Sequence, residues 1–320
     1  MLRRKALRIF AVSALLLATL SPRASDARAQ QPSPPTSGSG RATEAHYRVY
    51  DSAGRNVKLS DVVEAMSRAD VLFVGETHDD PLAHALEAEL LREAYARFTS
   101  GDESARRPVA LALEMFERDV QVVVDEYLAG LITERHFLAS SRPWKNYETD
   151  YKPLVEFARA HRLGVIAANA PARYVALASR SGVASLQTLS QQARAWLAPL
   201  PFASASAPYA AKFARAMGGD PMHSSAHLLD AQNLRDATMA YAVSEHLKRE
   251  QKAFVLHVNG KFHSEERLGV PEHLARYRPL SRMLVVTLVA TKNFPAFDAA
   301  NDGRLGDFVI ITDARLPRSF

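Results

Sequence analysis

Glu76 and His78 close a short apolar run, Val71-Leu-Phe-Val-Gly-Glu-Thr-His-Asp-Asp80, and a carboxylate two residues from an imidazole can hold a metal or activate water. Other apolar runs of strand length end in the same manner: Leu113-Glu114-Met115, Ala168-Asn169, and His257-Val258-Asn259-Gly260-Lys261-Phe262-His263. None is specific alone. A Glu just past a strand is ordinarily a solvated loop residue or a charge favoured at a helix N-terminus. His257, inside its apolar run, fits a hydrogen-bonded core histidine as well as a ligand. The coincidence carries more weight: if these strands are parallel, all four ends open on one crevice, the place where open α/β sheets bind ligands. Glu76, His78, Glu114 and His263 would then make either a site for a divalent metal such as zinc, manganese or iron, or a hydrolytic His–Glu centre acting on water, and spacing does not separate the two.

A second cluster, Trp144-Lys-Asn-Tyr147-Glu-Thr-Asp-Tyr151-Lys-Pro153, sets two phenols in a loop ahead of a helix. Such rings ordinarily pack a helix start; their chemical alternative is a phenolate ligand to ferric haem, helped by the iron's charge and by nearby cations such as Arg142, Lys145 and Lys152. On a long helix, Gln232, Asp236 and Met239 share one face at i, i+4, i+7 spacing, and an Asp on that face needs a partner if buried. We expect this face to close the crevice, and we assign Asp236 and Met239 with Tyr147 and Tyr151 to cofactor contacts. His223 and His227, four apart, could chelate a metal, although a pair at a helix start is more often exposed.

The elements that must position these residues alternate. Strands are expected at residues 71–75, 109–113, 164–168, 253–258, 283–289 and 308–311, with helices at 81–98, 120–128, 154–161 and about 224–250, the pattern of βαβ units. The Ala-rich, Pro-interrupted stretch 172–219 reads as short helices forming a small cap. The fold class is therefore α/β, a mostly parallel sheet flanked by helices. No internal repeat is present.

The N-terminal residues, with Arg3, Arg4, Lys5 and Arg8 ahead of an apolar stretch at 9–20 and an Ala27-Arg-Ala29 cleavage site, read as a signal peptide over 1–29. That stretch is too short for a transmembrane helix. Residues 30–45 have linker composition, which leaves one domain over 46–320. Taking the leader's six basic residues from 40 and its one acid from 35 leaves 34 of each sign, so the high pI belongs to the leader and argues for neither nucleic acid nor an anionic membrane as partner. Cysteine is absent, which excludes disulfides, thiolate metal sites and a lipid-modified N-terminal Cys.

The residues also resemble a known family. The stretch 71–80 with His84, Leu113-Glu-Met-Phe-Glu117 with Gln121, Trp144…Tyr147…Tyr151-Lys-Pro-Leu154, Ala168-Asn-Ala-Pro171, Gln232-Asn-Leu-Arg-Asp-Ala-Thr-Met-Ala240 and Gly260-Lys-Phe-His263 are together similar to the ChaN-like haem-binding proteins, which share a superfamily with TIKI and erythromycin-esterase-like proteins. The resemblance implies an α/β fold, haem held by a surface tyrosine, a homodimer stacking two haems, and a role in iron acquisition. Carried onto this chain, the tyrosine is Tyr147 or Tyr151, with Tyr151 favoured. In the hydrolase branches the positions matching Glu76, His78, Glu114 and His263 form the catalytic or metal site, so the resemblance leaves an esterase or peptidase as the alternative function. Family members are often lipoproteins; this leader offers no cysteine to acylate, and a periplasmic or secreted protein is expected instead.

Overall fold

All six apolar runs form strands of one eight-stranded sheet in the computed structural model, which describes residues 42–218 and 227–320. The strands are β1 (Tyr47–Asp51), β2 (Asn56–Val57), β3 (Val71–Glu76), β4 (Val109–Glu117), β5 (Gly164–Asn169), β6 (Phe254–Gly260), β7 (Met283–Thr291) and β8 (Phe308–Asp313). Their order is β2-β1-β8-β7-β3-β6-β4-β5. β3 to β8 pair with one another only in parallel, while β1 runs antiparallel to both β2 and β8. The β1–β2 hairpin escapes sequence reading because β1 is five residues long and alternates buried with half-buried positions, too short a run to show a period of two.

β3 is buried at all six positions. A strand covered on both faces has no polar side, which explains the continuous apolar runs. Leu72, Val74, Leu111, Leu256 and Val286 belong to the apolar cluster on one face, and Val71, Phe73, Ala110, Val255 and Val285 to that on the other.

The helices are α1 (Leu59–Met66), α2 (Pro81–Thr99), α3 (Gln121–Leu128), α4 (Glu134–Ser141), α5 (Lys152–Ala160), α6 (Ala172–Ser181), α7 (Gln191–Arg194), α8 (Ala207–Ala216), α9 (Leu228–Arg249) and α10 (Val270–Tyr277). α2 starts where it does because the Asp80 carboxylate accepts from Leu82 N at 3.1 Å and Pro81 fills the first position. This fixes the chain immediately after His78. The expected short helices between 172 and 219 are α6 to α8; Val175, Leu186 and Leu197 gather there with Leu234 of α9 in a third apolar cluster. The expected signal peptide, the linker as far as residue 41, and His223 lie outside the described residues. No described helix is long and apolar enough to cross a membrane.

Candidate functional site

Parallel pairing sets the strand ends side by side. Glu76 is the last residue of β3 and pairs in register with Gly260, the last of β6. The sequence places Glu114 just past a strand, whereas β4 continues to Glu117, with a register shift between Leu113 and Glu117. β4 follows β6 only as far as Leu113 opposite Val258, so Glu114 leaves the ladder and turns its carboxylate onto the β6 end. There Glu114 Oε2 accepts from Gly260 N at 2.7 Å.

Two charge networks meet at this edge. In the first, Glu114 Oε1 lies 3.3 Å from His263 Nε2, His263 Nδ1 lies 2.5 Å from Asp236 Oδ1, and the Tyr209 hydroxyl donates to Asp236 Oδ2. Gln232, one turn before Asp236 on α9, places its amide 3.2 Å from His263 Nε2. Burial opposes charge on both Glu114 and His263, but each charge stabilises the other, so Glu114 is held down at about 2 and His263, with Asp236 adding to the pull, up at about 10. At neutral pH His263 is an imidazolium clamped between two carboxylates and cannot accept a proton.

The second network centres on Glu76. Its Oε1 accepts from the Tyr151 hydroxyl at 2.5 Å and lies 2.8 Å from His78 Nδ1; its Oε2 lies 3.0 Å from His84 Nδ1. His84 Nδ1 is also 3.0 Å from Glu87 Oε2. Burial works against the Glu76 charge, yet His84 and His78 outweigh it and hold its pKa far below the usual range. For Glu87, burial and the neighbouring Glu76 charge push the same way, up to about 8. Tyr151, buried and surrounded by Glu76 and Glu87, is driven well away from phenolate.

His78 forms the mouth. Its side chain is 39% exposed, its ring meets Trp144 edge-on at 4.5 Å between centroids, and its Nε2 has no hydrogen bond among the described residues. The networks touch through Gly260: a Cβ there would sit 2.7 Å from His78 Nε2 and 3.6 Å from Glu114 Oε2. Gly260→Ala is therefore expected to push the His78 ring off the β6 end and lower stability by about 1–3 kcal/mol in a urea titration; an unchanged midpoint would refute this contact.

Glu76, His78, Glu114, His263, Asp236 and Tyr151 thus stand at one edge of the sheet. Met239 does not. Seven residues along α9 from Gln232, it is fully buried in the apolar cluster with Phe73 and Val255, because the face that meets the crevice in the helix's first turns meets the sheet further along. Nor is either tyrosine on the surface: Tyr147 and Tyr151 are 2% and 1% exposed, and the Tyr147 hydroxyl is buried without a partner beside Phe137. The cations expected to favour a phenolate are engaged elsewhere, Arg142 with Glu117 and Asp119, Lys152 with Glu134 and Glu148, and Lys145 over the Phe320 ring. His257 is a core residue, its Nδ1 2.9 Å from Asn259 Oδ1 and its pKa pushed down by burial to about 4. Asn169, the expected amide, accepts from Arg235 at 3.3 Å. His227 pairs with Asp230 at 3.0 Å.

Sequence reasoning passed over Glu87 and Tyr209. For Glu87 a signal existed, since it lies three residues after His84 between Leu86 and Ala88 on a helix with a buried face. Tyr209 carried none, because only the docking of α8 brings its hydroxyl to Asp236.

A family model described as haem-binding uptake, Tiki superfamily, ChaN matches residues 62–274, well over half of the chain. Among solved structures, one of cofacial heme binding to ChaN of Campylobacter jejuni aligns with TM-score 0.61 at 17% identity, covering 84% of this chain and 98% of that one, a likeness of fold. An erythromycin esterase mutant in its open conformation aligns with TM-score 0.41 at 10% identity over 83% of both chains. No curated protein matches.

Proposed function

The chain belongs to the ChaN haem-binding uptake family of the Tiki superfamily, and from that premise we propose that it is exported and handles haem or iron in the periplasm or outside the cell, holding haem at the mouth of the strand-end crevice. Haem is the cofactor of this family; the position and the ligands are our reading. The observation that carries it is the state of His78: half-exposed, flanked by the Trp144 ring, with Nε2 unengaged and Nδ1 on the Glu76 carboxylate. A carboxylate accepting from the far ring nitrogen fixes the tautomer and raises the basicity of the nitrogen that faces a metal. Tyr151 stands one hydrogen bond behind, on the same Glu76 oxygen. For Tyr151 to ligate iron as phenolate, its proton must pass to the carboxylates around it and its ring must come out of burial, so we place His78 first and Tyr151 second. Tyr147, with its hydroxyl sealed away, is the weaker candidate. Two copies meeting at their mouths would stack two haems, and we propose such a homodimer.

The test is a hemin titration of the mature protein. Wild type should give a Soret shift that saturates at stoichiometric hemin, and gel filtration should show the dimer on loading. His78→Ala should weaken binding at least about tenfold, Tyr151→Phe should alter the spectrum if the phenol is a ligand, and Tyr147→Phe should do neither. A wild-type titration that never saturates, or a His78→Ala curve that overlays wild type, removes the reading. One observation favours a second reading, hydrolysis at the same place: the His78–Glu76 pair has the geometry of a general base and its orienting carboxylate. Since His263 is held protonated, that activity would rest on His78, and ester turnover that survives His78→Ala disposes of it.

A further inference from the structure

Behind the mouth, the first turns of α2 bring His84 and Glu87 to the far oxygen of Glu76. The three side chains are nearly sealed, at 2%, 0% and 2% exposure respectively. His84 Nδ1 lies 3.0 Å from Glu76 Oε2 and 3.0 Å from Glu87 Oε2, and one donor atom from each of the three lies within 4.8 Å of the others. The other ring nitrogen of His84 faces acceptors only, the His78 carbonyl oxygen at 3.2 Å and Asp150 Oδ2 at 3.7 Å. Both ring nitrogens thus face acceptors; a cation would take the place of the Nδ1 proton, while the His78 carbonyl keeps the proton on Nε2 and so aims the Nδ1 lone pair at the space between the two carboxylates. In addition, Glu87 Oε1 is buried with no hydrogen-bond partner among the described residues, a condition buried polar atoms rarely tolerate.

We infer that Glu76 Oε2, His84 Nδ1 and a Glu87 oxygen hold a divalent cation behind the crevice, at a site separate from any iron carried by haem at the mouth. Ligand bonds of about 2.1 Å at right angles put neighbouring ligand atoms about 3.0 Å apart, the separation of His84 Nδ1 from each carboxylate oxygen, whereas tetrahedral bonds of that length spread them wider. Imidazole with two carboxylates suits manganese, iron or zinc better than calcium or magnesium. The supports are in place: Tyr151 and His78 hold the other oxygen of Glu76, and the His78 carbonyl holds His84 Nε2. The inference does not depend on haem binding. In the cation-free protein, protons occupy these atoms on His84 and Glu87, and binding of the cation releases them.

The full-length, haem-free protein, stripped with chelator, is titrated with Mn2+ while electron paramagnetic resonance follows the free ion. We expect one equivalent bound, binding weakened about 10–100-fold in Glu87→Gln, which keeps the shape, and affinity within a few-fold of wild type in His263→Gln. Diffraction of Mn2+-soaked wild-type crystals at the manganese edge should place the ion within bonding distance of His84 Nδ1, which decides the matter even if Glu87→Gln does not fold. Failure to saturate, binding that survives Glu87→Gln but is lost in His263→Gln, or an ion located at Glu114 and His263 overturns the inference.

Discussion

Asp236→Ala lowers the stability of the domain by about 3–5 kcal/mol, because it leaves a buried charge without its nearer partner. Asp236 is fully buried and takes both the ring of His263 and the Tyr209 hydroxyl. Without it, His263 keeps Glu114 at 3.3 Å as its one carboxylate among the described residues, against the cost of burying an imidazolium. Either the charge stays at that cost or His263 gives up its proton and Glu114 loses its partner. Tyr209→Phe removes one hydrogen bond and no charge, so it should cost about 0.5–1.5 kcal/mol. Urea unfolding of the two variants measures the ordering. Equal losses would mean that Asp236 acts as a hydrogen-bond acceptor and that the charge pairing inferred for His263 is absent.

The second large effect is on pH. His263 is held at about 10 against an ordinary value of 6.5, so the folded state binds its proton more tightly than the unfolded chain. The stability it contributes is complete below about pH 6.5 and drains away as pH rises toward 10, about 4 kcal/mol over that range. Glu114 has the opposite sign: held at about 2 against 4.5, it contributes above about pH 4.5 and loses that as pH falls toward 2, about 3 kcal/mol. The two values describe one ion pair seen from its two ends and are not to be added. The expected curve is a plateau near pH 5–6.5 with a fall on either side. His78 and His84, also raised after their carboxylate partners outweigh burial, add to the alkaline limb, so His263→Gln should make that limb shallower without flattening it. An alkaline limb equally steep in His263→Gln would show that the ring is neutral in the native protein.

The family premise gives these networks their setting, since they lie just behind the surface on which we place haem. A haem ligand on His78 would be braced by Glu76, and Glu76 is braced in turn by Tyr151 and His84. Changes well behind the mouth should therefore reach the iron through that one carboxylate.

Much of this was already determined by the order of residues. The strands of the parallel sheet are buried on both faces, so their sequences had to be apolar over long runs, and Glu76 and Asn169, which close two such runs, are the last residues of β3 and β5, whereas β4 continues past Glu114 to Glu117. Helix α2 was announced by Asp80 and Pro81, and Asp236 by the spacing that set it one turn beyond Gln232. Where burial and backbone chemistry act within a few residues, the sequence carries the answer. Only the tertiary structure decided what those residues meet. The pairing of β4 with β6 stops at Leu113 and frees Glu114 to reach Gly260, α8 supplies Tyr209, and the packing of α9 sends Asp236 to His263 and Met239 into the core. Burial of Tyr147 and Tyr151, and the capture of Arg142 and Lys152 by carboxylates distant in sequence, follow from the packing of elements that share no local signal, and a residue's charge state depends on all of them at once.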